Sequence, residues 1–200
     1  MDYGIDGRMA LVVGSDDTLA RACAERLQRS GVRLVGDRWH GLAGLGVDAD
    51  RLAEGTVDIV VVIAARVDDS PILDDAALMS AWDTVVASAA IMRRAVAGMA
   101  QRGWGRLVTV HPLETKLFTG RDATLQRVVG LGALGLSKSI SGEHARHGIT
   151  SNGVLWDGRL PQGESALAVA GAVAFLASMP AAYLSGITLT VDGGAGTSVF

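Results

Sequence analysis

Residues 9–35 read MALVVGSDDTLARACAERLQRSGVRLV: an apolar run, a polar turn, an amphipathic stretch and a second apolar run. MALVVG (9–14) shows no polar alternation, which predicts a strand buried on both faces. TLARACAERLQRSG (18–31) repeats Leu19, Cys23 and Leu27 along one helical face, with Gly31 as its stop. VRLV (32–35) then predicts a second strand. Outward from this unit the pattern continues. DIVVVIAA (58–65) is apolar on both faces, residues 77–103 predict a long helix, and GRLVTVH (105–111) a strand. Residues 125–148 predict a helix, ITSNGVLW (149–156) a strand, ALAVAGAVAFLAS (166–178) a helix and ITLTVDGG (187–194) the last strand. Such alternation predicts an α/β fold with a doubly wound parallel sheet and a ligand crevice at the carboxyl ends of its strands.

The 200 residues, 49% hydrophobic and 20% charged, suit one domain over 1–200 with a sizeable core. A net charge of −3 provides no basic stripe for nucleic acid or an anionic membrane, so neither partner is expected. The single Cys23 lies in an apolar helical pattern, which suits a buried thiol in a reducing compartment and excludes an intramolecular disulfide. MDYGIDGRMALVV lacks the basic start and long apolar run of a signal peptide, and no run is long enough to span a bilayer; a cytoplasmic protein is expected. His40, His144 and His147 share no metal-ligand spacing with carboxylates or Cys23, so no metal is expected.

Three strings carry a resemblance: ALVVG…LARACAERLQRSGVRLV, DIVVVIAA and, most specific, FLASMPAAYLSGITLTVDGG. Together they resemble the short-chain dehydrogenase/reductase family over nearly the whole chain, which implies a Rossmann-like three-layer sandwich. Two regions are short against that pattern. Between Val35 and Asp58 there is room for one strand, around VDAD (47–50), but not for the helix the family usually has there, its αC region. Between Gly158 and Ala166 there is no room for the family's substrate lid.

Carried over residue by residue, the resemblance implies a degenerate member. The glycine-rich turn keeps Gly14, while Thr18 and Ala20 stand at its second and third glycines; side chains there crowd a pyrophosphate. Asp16 and Asp17 at the helix cap would answer the orphan amides internally. The family's NNAG falls on Val62, Ile63, Ala64 and Ala65. Its catalytic positions fall on Ala89, Pro112, Gln126 and Gly130, so no catalytic residue is expected at them. Gly14, Asp37 and Asp48 remain as vestiges of cofactor binding, the two aspartates equally readable as solvated loop acids.

Other candidates have two readings each. His111, Glu114 and Lys116 in HPLETK are a replacement acid/base set or a polar loop. Asp157, beside Trp156, shapes a contact surface or a turn. GLGALG (130–135) packs closely on the sheet or, as the resemblance favours, against a partner helix. The main expectation is a non-catalytic subunit that assembles with an intact family relative, or with itself, through helices 79–102 and 124–147 and the segment 166–200. Residues 192–200 would complete the neighbour's pocket. No cofactor is expected in this chain, and NAD(P) in the partner. Two alternatives stand: a homodimeric small-ligand-binding protein, and an active NAD(P)-dependent oxidoreductase with a site rebuilt around His111 and Asp157.

Overall fold

The computed structural model describes residues 3–14, 17–35, 55–64, 74–116, 124–158 and 162–194. In chain order these form β1 (Met9–Gly14), α1 (Asp17–Gln28), β2 (Arg33–Leu34), β3 (Ile59–Ile63), α2 (Asp75–Arg102) and β4 (Gly105–Pro112). A 3-10 turn (Leu113–Thr115) follows, then α3 (Thr124–His144), a second 3-10 turn (Ala145–His147), β5 (Ile149–Trp156), α4 (Gln162–Leu176) and β6 (Thr188–Val191). The strands make one six-stranded sheet in the order β2-β1-β3-β4-β5-β6, every pairing parallel. This is the doubly wound parallel sheet that the alternation predicted, in the Rossmann-like sandwich that the resemblance implied.

Strand alternation sorts the core into two layers. Ala10 and Val12 of β1, Ile59, Val61 and Ile63 of β3 and Val108 and Val110 of β4 pack beneath α1 and α4. Their neighbours Leu11, Val13, Val60, Val62 and Leu107 pack beneath α2. Leu19, Cys23 and Leu27 all sit fully buried on the inner face of α1, as their spacing predicted; burial of each leucine stabilises the fold by roughly 1.5–3 kcal/mol.

Two helix boundaries differ from the sequence reading, each for a local reason. Asp74 caps α2, its Oδ1 accepting from the amides of Ala76 at 3.0 Å and Ala77 at 3.1 Å, so the helix starts before residue 77. Helix α4 starts at Gln162, with Glu164 in its first turn, so only residues 159–161 lie between it and Gly158. The strand expected around 47–50 lies outside the described residues.

Gly148 ends the second 3-10 turn with φ 71°, and its missing Cβ is required twice over, because one would collide with the backbone oxygen of Gly103. Gly98 of α2 likewise lets the helix meet the Gly55 backbone; a Cβ there would lie 2.6 Å from Gly55 Cα.

Candidate functional site

The chain runs from β1 to β2 on one side and then crosses to β3 on the other, so the strand order reverses between β1 and β3. Open α/β sheets place their ligand crevice at such a point, beyond the carboxyl ends of the strands. Here β1 ends at Gly14, β3 at Ile63 and β4 at Pro112. A Cβ on Gly14 would lie 2.8 Å from Ile63 Cβ, so packing between the two strands alone explains this glycine. Helix α1 starts at the same edge. Its Ala20 is fully buried and its Thr18 half-buried. Val62 and Ile63 feed opposite core layers, and the amide of Ala64 donates to Val110 O at 2.9 Å. Asp16, Asp37, Asp48, Ala65 and residues 195–200 lie outside the described residues, as does His40; Asp17 is described by its backbone alone.

Next along this edge, His111 points under α2 and α3. It is 3% exposed, and neither ring nitrogen has a hydrogen-bond partner among the described residues. A cavity of about 20 Å³ adjoins it, lined by Ala64, Thr84, Ser88, Gln126 and Gly130 among others. That is room for one water molecule, and the lining is polar enough to bind it. Burial lowers the His111 pKa from 6.5 to about 4, so the imidazole is neutral near pH 7.

The structure therefore brings together Gln126, Gly130 and His111, which the sequence reading had named separately. Ser88 lines the cavity, while Ala89 opens onto the groove between α2 and α3. The Ser88 hydroxyl donates to Thr84 O at 2.8 Å, leaving its lone pairs toward other donors. Nothing in the sequence distance between Thr115 and Gly130 signalled their contact. A Cβ on Gly130 would collide with Thr115 Oγ1 and come within 2.6 Å of its Cγ2. The place where a longer side chain would project from α3 is thus filled by the turn after β4.

The remaining candidates separate. Lys116 is exposed and Glu114 half-buried on the 3-10 turn, while His111 lies beneath the helices, so HPLETK is not one acid/base cluster. Asp157 is buried and its amide donates to Val191 O at 3.3 Å; it does not orient the His111 ring. His144 and His147 face each other at 5.9 Å between ring centroids, near Glu143. The glycines of GLGALG meet three different surroundings: Gly130 the Thr115 turn, Gly132 the ring of Trp82 on α2, and Gly135 open space. Close packing within the chain accounts for the first two. Among the described residues no helix is long and apolar enough to cross a membrane.

Neutral burial of His111 has a consequence for acid stability. Its folded pKa lies below the unfolded value, so on acidification the unfolded chain takes up the proton first. The contribution is complete above pH 6.5 and is lost as pH falls toward about 4, a loss of about 3 kcal/mol at most. Urea midpoints of wild type and His111→Leu should diverge across that window and run parallel above it; parallel curves throughout would show that the ring protonates as readily folded as unfolded.

No family model matches the chain. Curated relatives match it nearly end to end. The (2S)-((R)-hydroxy(phenyl)methyl)succinyl-CoA dehydrogenase subunit BbsC of Thauera aromatica is 28% identical over 245 aligned positions, covering 97% of this chain and 96% of that one. The 3-oxoacyl-acyl-carrier-protein reductase FabG of Escherichia coli is 28% identical over 240 positions, covering 94% and 97%. Among solved structures, a short-chain dehydrogenase/reductase family protein superposes with a TM-score of 0.81 at 23% identity, covering 97% of this chain and 98% of that one. A provisionally described NAD(P)-dependent gluconate 5-dehydrogenase of Beutenbergia cavernae, solved with NADP at low occupancy, gives 0.78 at 22% identity, covering 97% and 98%. At these identities the structures speak for the fold. The expectation of a catalytically inactive assembly subunit is corrected by the curated relatives, which are named for dehydrogenase and reductase activity and match over nearly the whole chain. Departures at four inherited positions do not outweigh that finding, because a site can be rebuilt from neighbouring residues.

Proposed function

We propose a function for this chain from one premise: it belongs to the short-chain dehydrogenase/reductase family. The chain is a nicotinamide-dependent oxidoreductase that interconverts a carbonyl and an alcohol on an acyl thioester, with its proton-handling site rebuilt around His111. One observation carries this reading. A neutral imidazole whose two nitrogens have no hydrogen-bond partner among the described residues lies buried at the carboxyl end of central strand β4, in the cavity it shares with Gln126, Gly130 and Ser88. Burying unpaired polar atoms is costly, and exceptions of this kind gather where protons or ligands pass. The thioester class follows from the curated relatives, one named for a CoA thioester and the other for an acyl-carrier-protein thioester.

The described residues fit a dinucleotide at the reversal point in one respect: the amide end of α1 opens on the edge where β1 and β3 end. The first turn of α1 would hold its pyrophosphate. The cofactor would supply the hydride. His111 supplies a neutral hydrogen-bond donor: one ring nitrogen carries a proton and the other a lone pair. Its low pKa disfavours imidazolium, so it stabilises developing negative charge on oxygen by donating, through a cavity water, better than it would act as a strong base.

The enzyme works as an oligomer, with a second copy seated on helices 79–102 and 124–147. Met79, Trp82, Val86 and Leu131 are exposed on α2 and α3, beside a groove of about 410 Å³ with a largely apolar lining. Apolar patches of this kind call for a cover. The test is a purified chain assayed with NADH and NADPH on a 3-oxoacyl thioester, with its mass measured in the same buffer. We expect a dimer or larger species and turnover that saturates in thioester. A monomer that neither binds nor oxidises either nucleotide overturns the reading.

A further inference from the structure

We propose that Met179 is a site of reversible oxidation, at which the sulfoxide oxygen is held by the Trp104 indole N–H and the Arg106 guanidinium. The three residues meet at the amino edge of the sheet, opposite the crevice. Arg8 and Arg106 stack on the Trp104 ring, their guanidinium carbons 4.0 and 4.4 Å from its centroid. Arg106 is 2% exposed. Its Nη1 donates to Gly105 O at 2.8 Å and Gly148 O at 3.1 Å, its Nε has no partner, and among the described residues no carboxylate pairs with it. Burial and, secondarily, Arg8 lower its pKa to about 10, which marks a cation short of negative charge.

The acceptor offered to this cation is a thioether. Trp104 Nε1 donates to Met179 Sδ at 3.5 Å and Arg106 Nη2 at 4.0 Å. Sulfur is a weak acceptor, so both donors are poorly matched. The residue is nonetheless fixed in place: its amide donates to Tyr3 O at 2.9 Å, and Gly4, at φ 63°, leaves room that a Cβ would fill at 2.8 Å from Met179 Cγ. It is also 47% exposed, open to small oxidants.

With a hydroperoxide as oxidant, the sulfur lone pair attacks the peroxide oxygen, the O–O bond breaks, an S–O bond forms and water or an alcohol leaves. Sulfur loses two electrons and the peroxide gains them. The sulfoxide oxygen is a stronger acceptor than the thioether sulfur; projecting from sulfur off the line to each nitrogen, it comes within reach of both donors, and its bond to Arg106 is charge-assisted. A dithiol-dependent sulfoxide reductase restores the thioether, releasing water and leaving a disulfide. Oxidised methionines usually disrupt packing, whereas this one gains partners.

Wild type, Met179→Leu and Met179→Gln would be treated with hydrogen peroxide, mapped by peptide mass and melted. We expect sulfoxide at Met179 and a rise in Tm of roughly 3–12 °C, what one charge-assisted bond contributes in a chain of this length. Reductase with dithiothreitol should reverse the rise. Met179→Leu should show none, and Met179→Gln, with a carbonyl oxygen in place, should show it without peroxide. Met79 is more exposed, at 63%, but has no such donors among the described residues. A Met179 that stays reduced while Met79 is oxidised, or an oxidised protein that melts at or below the untreated one, overturns the proposal.

Discussion

Replacing His111 by leucine is expected to lower turnover about 10²–10³-fold, the range lost when one donor aimed at developing negative charge is removed, while stability at pH 7.5 holds or rises. The two halves of the result follow from one geometry. The ring has two nitrogens buried with no hydrogen-bond partner among the described residues and is 3% exposed. Leucine fills a similar space without them, and exchanging an unsatisfied polar group for an apolar one of like shape is neutral or favourable, by about 1 kcal/mol. A purely structural histidine would show the stability effect with no loss of rate. Steady-state kcat beside a melting curve at the same pH separates the two, and unchanged kcat would remove His111 from the reaction.

Gly130→Lys is expected to destabilise the fold by about 1–3 kcal/mol, the usual range for overpacking a close-fitted site. The added Cβ meets Thr115 Oγ1 and Cγ2 on the turn after β4, where the residue is 1% exposed and has little room to yield. A lysine ammonium delivered into the His111 cavity would add a desolvation cost. Thr115→Ala removes both colliding atoms, so in the double variant much of the loss should return. A coupling of about 1 kcal/mol in the double-mutant cycle is the expected signature of direct contact. Urea denaturation of the four proteins measures it. Additive single effects would mean that the α3 position is closed by something other than Thr115.

The fold was legible because its signals are local. MALVVG and DIVVVIAA declare doubly covered strands, and Leu19, Cys23 and Leu27 declare the buried face of α1. The site was legible in part. Gln126 and Gly130 were placed on one helix and His111 at a strand end, and the structure joins them in one cavity. What escaped was Ser88 and long-range fit. Ser88 lies one residue, about 100° of rotation, from Ala89, and apolar periodicity in this small-residue stretch does not fix rotation that finely. HPLETK looked like a polar loop, yet strand alternation through Leu107, Thr109 and His111 carries the imidazole beneath α2 and α3, a signal that was present and passed over. Thr115 against Gly130 is a tertiary contact with no local mark. Function was misread for a related reason: departures at Ala89, Pro112, Gln126 and Gly130 describe what one inherited arrangement lacks, and say nothing of donors supplied from His111 or Ser88.

The most direct test of the oxidoreductase reading follows an isotope. The purified chain would be incubated with a 3-oxoacyl thioester and NADPH or NADH deuterated at the transferred position, and the acyl product analysed by mass. The account predicts one deuterium on the carbinol carbon of a 3-hydroxyacyl product, formed over many turnovers and sharply slowed by His111→Leu. Unchanged thioester, with both nucleotides at saturating concentration and the chain folded, would contradict it.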